Sequence, residues 1–251
     1  MISTIRISIV LLIALMGAGV TFAQEATGHR DAKAIEVLKR MSGYTASLDQ
    51  FSIKGIAFSD ARLDAGLMVS NSSEITLTID RPGSMRISSF DGVDSKDIYF
   101  HKGNLTVFGS EKNFYGQANI PQEIEAAADF ALEELDLEAP LMDLIYRDVS
   151  AQLLHSDDSI IYLSDKSRVG GVDCHHVVIR GPEMDLQIWI EEGDRAVPRK
   201  LIMTSKWESG SPRFTANLAW DTAPKISPDV FKFIAPEGAI NIGFANQSTS
   251  P

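Results

Sequence analysis

Apolar and polar residues alternate along most of the chain, and this pattern predicts a protein built mainly of β-strands. Phe51 and Ile53 alternate with Ser52 and Lys54, and the same two-residue period returns in most later segments. Turns rich in Gly, Pro and Asp separate the segments, as in an antiparallel meander rather than in strand–helix–strand units. The pattern predicts strands over residues 51–56, 75–80, 85–88, 97–101, 105–108, 160–164, 172–180, 184–191, 200–207 and 213–221.

Three segments show helical spacing instead. Asp31 is a suitable N-cap for a helix that runs to about Leu48, because Ile35 and Leu38 begin an apolar stripe there. Gln122–Leu135 and Pro140–Leu154 have the same spacing, and a proline is tolerated in the first turn of a helix. The last two helices are predicted to form a flap between two runs of strands.

One face of the predicted sheet is apolar and must be covered, either by closure of the sheet or by helices. If the helices cover it incompletely, a cavity remains for an apolar ligand. A fully packed interior is the alternative and the more common arrangement in proteins. The candidate ligand-binding residues all point to the apolar face: Leu77, Ile79, Met85, Ile87, Leu186, Ile188, Ile190, Leu201, Met203, Phe214 and Leu218.

The first 23 residues have the pattern of a secretory signal peptide. Arg6 supplies the positive charge, Ile7–Val20 is an apolar run, and Thr21-Phe22-Ala23 resembles a cleavage site. The run is shorter than the ~20 apolar residues of a membrane helix, which disfavours an uncleaved anchor. We therefore expect an exported, soluble protein with a single domain over residues 24–246 and a disordered tail over 247–251.

Charge and cysteine content narrow the possible partners. The formal net charge of -11 repels phosphate backbones and anionic membrane surfaces, so nucleic acid and stable membrane insertion are not expected. Hydrophobic residues make up 44% of the chain, which is enough for a packed core. Cys174 is the single cysteine, so no intramolecular disulfide is possible.

The sequence Cys174-His175-His176 has residue types that bind zinc or copper, or act as a nucleophilic pair. On a strand, however, His175 points away from the other two, and two ligands do not complete a tetrahedral site. No orienting carboxylate, Gly-x-Ser-x-Gly motif or phosphate-binding loop accompanies them. We therefore expect no metal, no cofactor and no enzymatic activity.

Several longer segments resemble a family of predicted periplasmic proteins of unknown function that is similar to the LolA/LppX-like lipoprotein carriers. The resemblance rests on seven segments: Thr78–Gly83, Tyr99–Phe108, Leu141–Tyr146, Val172–His176, Gln187–Glu191, Val197–Leu201 and Pro228–Gly238. It covers nearly the whole chain after the signal peptide. It implies an α+β, mainly β fold, an unclosed antiparallel β-barrel with helices plugging its concave face, and a periplasmic location.

Two functions follow as expectations. The first is a non-enzymatic periplasmic carrier of lipid, or of the acyl chains of a lipid-modified protein, held between the curved sheet and the helices. The second is a periplasmic sensor or adaptor that binds a partner protein through its sheet edge or its outer face, without a lipid cargo. Trp189 on the wetter face is the candidate anchor for such a partner.

Overall fold

The computed structural model describes residues 29–137, 139–156 and 159–244. The predicted signal peptide and the predicted disordered tail lie outside these residues. The described strands are β1 (Gln50–Arg62), β2 (Met68–Asp80), β3 (Ser84–Phe90), β4 (Ser95–His101), β5 (Asn104–Gly109), β6 (Phe114–Asn119), β7 (Ile160–Leu163), β8 (Ser167–Val169), β9 (Val172–Arg180), β10 (Met184–Glu191), β11 (Pro198–Ser205), β12 (Arg213–Asp221) and β13 (Ile240–Asn241).

The strands form one sheet of 13 strands in the order β13-β6-β5-β4-β3-β2-β1-β12-β11-β10-β9-β7, with β8 also paired to β9. All pairings are antiparallel except that of β13 with β6. The edge strands β13 and β7 do not pair with each other, so the barrel is open. This confirms the predicted fold class.

The two faces of the sheet differ as the alternation predicts. Across β3 and β4, Met85 pairs with Phe100 and Ile87 with Ile98, and all four are buried in the core. Their strand neighbours Arg86 and Tyr99 lie on the opposite face. We call the face that carries the core the inner face, and the other the outer face.

Three α-helices and a 3₁₀ helix cover the inner face: α1 (Ala32–Ala46), α2 (Ile124–Leu135), the 3₁₀ helix Met142–Ile145 and α3 (Val149–Leu154). Asp31 caps α1 as predicted, since its carboxylate accepts a hydrogen bond from the Lys33 amide at 2.8 Å. We call the segment 124–154 together with α1 the helical cover.

The predicted helix Pro140–Leu154 is wrong as a continuous element. Tyr146 is extended, with ψ at 141°, which ends the 3₁₀ helix. Asp148 then accepts a hydrogen bond from the Ala151 amide at 2.9 Å and starts α3. An Asp that caps its own helix competes with continuation of the preceding one.

The C-terminal segment wraps round the side of the sheet next to β6, where it also supplies the edge strand β13. The Phe233 ring packs on the outer face against Tyr99, Phe108 and Tyr115, with ring centroids 5.0–5.6 Å apart. Phe244 then lies on the inner face, where Gly116 has no side chain to obstruct it. The wrapped segment covers this edge from both sides.

Among the described residues, no helix combines the length and the apolar character needed to cross a membrane.

Candidate functional site

The predicted ligand-binding residues share the inner face. Nine of the eleven are buried, and Met203 and Phe214 are partly buried at its margin. The register brings them together across the two halves of the sheet, since Leu77 pairs with Ile87 while Ile188 pairs with Leu201. They belong to one continuous apolar cluster, and their binding of a ligand stays a prediction.

The helical cover packs closely on this face in the structure. Under α2, between Met85, Phe100 and the helix, the remaining void measures only about 10 Å³, at the lower limit of the space that one water molecule needs. The helix meets the sheet through Ala127, Ala128 and Ala131. Alanine buries less apolar area than leucine, so this contact holds the helix less strongly than larger side chains would.

Arg81 fixes the cover at one end of the sheet. Its side chain is 3% exposed, and its guanidinium donates a hydrogen bond to the Ile145 carbonyl at 2.6 Å. A second guanidinium nitrogen lies 3.5 Å from the Glu125 carboxylate of α2. Burial is the main cause that lowers the pKa of Arg81, and the nearby Arg147 contributes. One buried cation therefore contacts both α2 and the 3₁₀ helix.

Further polar contacts join the cover to the same end. The Arg147 amide donates to Glu125 at 2.9 Å, and its guanidinium donates to the Ala46 carbonyl at the end of α1. Tyr146 donates to Asp129 at 2.6 Å, and desolvation together with this carboxylate raises the pKa of Tyr146. We call this the closed end, where the turn at residues 81–83, the end of α1 and the start of α2 meet.

At the opposite end, which we call the open end, the inner face continues beyond the cover into a groove of about 420 Å³. Val107, Phe114 and Phe244 are its large apolar lining residues, and its charged lining residues are Asp94, Lys96, Glu111 and Lys112. Val107 pairs with Ile98, which lines the small void under α2. The groove and the void therefore lie on either side of one residue pair.

A second groove of about 200 Å³ opens at the same end, on the other half of the sheet. Its apolar lining includes Met184, Met203 and Phe214. Met203 and Phe214 are the two predicted ligand-binding residues that remain partly exposed. The apolar inner face is thus accessible from solvent at the open end in both halves of the sheet.

The side chains of the Cys174-His175-His176 segment do not share one face of the sheet. Cys174 is buried, and desolvation raises the pKa of its thiol, which keeps it protonated. The His176 ring stacks on Trp189 at 4.0 Å and contacts the Gln187 side chain at 3.1 Å, while His175 lies on the other face. Within the described ranges, no three His, Cys, Asp or Glu side chains are grouped to hold a metal ion.

Trp189 lies on the outer face, as the pattern predicts, but is only 8% exposed. His176 stacks on it, and the Lys200 ammonium lies 4.8 Å from the ring centroid. These neighbours cover the surface that a partner protein would need. A groove of about 640 Å³ on the outer face lies nearby, where the β8–β9 hairpin faces Lys54, Glu74 and Asn217.

Neither the burial of Arg81 nor the solvent-accessible grooves at the open end were predicted from the sequence. The Arg81-Pro82-Gly83 sequence is typical of a turn, and nothing in it marks the arginine as buried. The position of Phe244 on the inner face was also not predicted, since this residue follows no alternating segment. The alternating pattern predicted correctly that Met203 and Phe214 lie on the inner face. It could not predict that they lie at the margin of that face, because this depends on how far the helical cover extends.

The family described as predicted periplasmic protein (DUF2092) matches residues 34–245. No curated protein matches the chain. Among solved structures, the chain is similar to lipoprotein LppX of Mycobacterium tuberculosis, with 8% identity, a TM-score of 0.47, and coverage of 78% of this chain and 99% of that one.

Two further solved structures are similar. LprF of Mycobacterium bovis has 12% identity, a TM-score of 0.48, and coverage of 80% of this chain and 98% of that one. The LolA superfamily protein NE2245 of Nitrosomonas europaea has 10% identity, a TM-score of 0.39, and coverage of 80% and 97%.

Proposed function

The chain belongs to this family of predicted periplasmic proteins, and we propose that it is a non-enzymatic binder or carrier of an apolar ligand. The ligand is an acyl chain of a lipid or of a lipid-modified protein. It lies between the sheet and the helical cover, against the eleven inner-face residues named above.

One observation supports this most strongly: the apolar inner face passes without a break from the packed region into two grooves at the open end. An acyl chain needs a continuous apolar surface and few polar groups. The groove at Val107 meets the void under α2 across the Ile98–Val107 pair. A chain that enters the groove therefore needs only to displace α2 to reach Met85 and Phe100.

Loading requires the cover to move, because the void under α2 measures about 10 Å³. The three alanines of α2 reduce the apolar contact that this movement breaks. Burial of the acyl chain offsets the loss at ~0.8 kcal/mol per CH₂ group. The contacts of Arg81 with Ile145 and Glu125 lie at the closed end, so that end serves as the hinge.

Two measurements test the proposal. Lipid extraction and mass spectrometry of the protein purified from its native host should recover a co-purifying lipid. In detergent-free solution, a fluorescent fatty acid analogue should bind and be displaced by an unlabelled C16 fatty acid. Absence of both a co-purified lipid and displaceable binding would contradict the proposal.

A matched pair of variants locates the ligand. Val107→Trp places a large ring in the groove and should weaken binding of the fatty acid analogue at least tenfold. Gln117 lies on the adjacent strand β6, where its side chain is exposed on the outer face. The Gln117→Trp variant should therefore bind the fatty acid analogue as tightly as the unmodified chain does. Equal affinities for the two variants would place the ligand elsewhere.

The adaptor function is the second candidate. Trp189 does not support the adaptor function, because its ring is covered by neighbouring side chains. The groove on the outer face beside Lys54 and Glu74 supports it, because it offers an accessible surface for a partner. Cross-linking of the exported protein in its native host distinguishes the two. A protein captured through Glu74, on a chain that carries no lipid, would favour the adaptor.

A further inference from the structure

We infer that the open end is a docking surface for a lipid bilayer with zwitterionic headgroups. The inference rests on the proposed function, since it names where the ligand is collected or delivered. Five turns lie at this end of the sheet, at residues 63–67, 91–94, 110–113, 181–183 and 206–212. The pairing of the strands puts all five at the same end, and the approach of Gly210 to Met68 brings the turns 63–67 and 206–212 close together.

Large apolar side chains project from these turns into solvent. Leu63 is 48% exposed, Leu67 60%, Val93 89% and Trp207 67%, and Phe90 and Met184 are exposed beside them. None of the exposed large apolar residues lies in the turns of the closed end at 81–83, 102–103 and 192–197, among the described residues. Six of the exposed large apolar side chains therefore lie at the end where the ligand grooves open, and the others lie along strands, on α2 and in the C-terminal segment.

The arrangement fits a fluid surface better than a folded protein. The side chains stand on separate turns rather than on one flat patch, and a protein partner would need a matching pocket for each. A bilayer interface accepts a Trp ring and scattered Leu and Val side chains at headgroup depth without such matching.

The charges of the same turns select the headgroup. They carry six acidic residues and two lysines: Asp64, Asp91, Asp94, Glu111, Glu183, Glu208, Lys112 and Lys206. Acidic turns on a chain of net charge -11 are repelled by anionic lipids. They complement the outward ammonium groups of phosphatidylcholine and phosphatidylethanolamine. Docking is shallow, since only side chains at turn tips reach the bilayer.

Trp207 is a built-in reporter for the test. The chain has three tryptophans, and Trp189 and Trp220 are 8% and 6% exposed. A blue shift of tryptophan emission on addition of vesicles therefore reports Trp207. We expect such a shift, and co-sedimentation, with phosphatidylcholine vesicles, and weaker binding to phosphatidylglycerol vesicles. Trp207→Phe should remove the shift and retain most of the co-sedimentation.

A pair of multiple variants provides the control. Leu63→Ser, Leu67→Ser, Val93→Ser and Trp207→Ser combined should lower vesicle affinity at least tenfold. Ile56→Ser, Leu132→Ser and Ile234→Ser combined remove exposed apolar side chains that lie outside the open end and should leave vesicle binding unchanged. Equal vesicle binding by both variants, no binding to either vesicle, or preference for the anionic vesicle would overturn the inference.

The fatty acid titration without vesicles separates this inference from the proposed function. The open-end variant should still bind the soluble analogue, because the inner face is unchanged. If the unmodified chain binds the soluble analogue but does not bind vesicles, the docking surface alone is refuted. Loss of both would refute the carrier function as well.

Discussion

The two ends of the sheet differ in the structures that follow the strands: one end carries polar contacts to the helical cover, and the other carries exposed turns and grooves. At the closed end, Arg81 and Arg147 join three parts of the helical cover through hydrogen bonds and ion pairs. At the open end, the turns present Leu, Val and Trp side chains to solvent, and two grooves lead to the inner face. The polar contacts that join the parts of the cover and the grooves that reach the inner face therefore lie at opposite ends of one apolar face.

The largest contrast is expected from apolar truncations. Phe100 is fully buried in the core beneath α2, so Phe100→Ala should lower the free energy of unfolding by about 3–5 kcal/mol. Val93→Ser at the open end should change it by less than about 0.5 kcal/mol, since its side chain is exposed. Urea denaturation measures both. Similar losses would show that the two ends do not differ in this way.

The next effect concerns the buried cation. Arg81→Met should lower the free energy of unfolding by about 2 kcal/mol, because it removes charge-assisted hydrogen bonds to Ile145 and Glu125. It should also increase amide hydrogen exchange in the segments 124–135 and 142–154. Faster exchange at the open-end turns instead would contradict the hinge at the closed end.

A matched control is available on the neighbouring strand. Arg86 pairs with Asp97 at 3.0 Å on the outer face and is 33% exposed. Arg86→Met should lower the free energy of unfolding by no more than about 1 kcal/mol, as is usual for partly exposed ion pairs. Exchange of the cover should not change in this variant.

An effect of similar size should separate the buried side of α2 from its exposed side. Overpacking the cover by Ala128→Leu should destabilise the protein by about 1–3 kcal/mol, because the void beneath the helix is too small for the added atoms. Leu132→Ala, on the exposed side of the same helix, should be close to neutral. Thermal melts of both variants test this. A stabilised Ala128→Leu would mean that usable empty space exists under α2.

The smallest effect is a pH dependence that belongs to neither end. Burial against Trp189 lowers the pKa of His176 below its ordinary value of 6.5, while its bond to Gln187 acts in the opposite direction. The unfolded chain therefore binds a proton that the folded chain does not, so stability is complete above about pH 6.5 and falls as the pH decreases below it.

His176→Phe keeps an aromatic ring beside Trp189 and provides the comparison. Its urea midpoint should fall less between pH 7.5 and pH 5 than that of the unmodified chain. An equal fall would assign the acid sensitivity to other groups.

The sequence was sufficient for ten of the described strands and for the inner face, because burial on one face imposes a two-residue period that the residues display directly. The short strands β6, β8 and β13 were not predicted. Leu77, Ile188 and the other predicted residues were placed on that face by this period alone. The break at Tyr146 was missed because the apolar spacing continues across it, and Asp148 is recognised as a cap only once the break is known.

The size of the void and the role of Arg81 were also beyond the sequence. Both depend on the distance between a helix and strands that are more than 20 residues apart, which no local pattern records. The open end is defined by the register, which puts five separate turns at the same end of the sheet. Within each turn, a single exposed Leu or Val is unremarkable.

Photolabelling tests the central claim most directly, because it reports which residues touch an acyl chain. The purified chain is incubated with a fatty acid that carries a diazirine on its tail, irradiated, digested and analysed by mass spectrometry. The account predicts labels on the inner-face residues Ile98, Val107 and Phe114 and on α2, all removed by excess unlabelled fatty acid. Labels confined to the outer face, or labels that competition does not reduce, would contradict it.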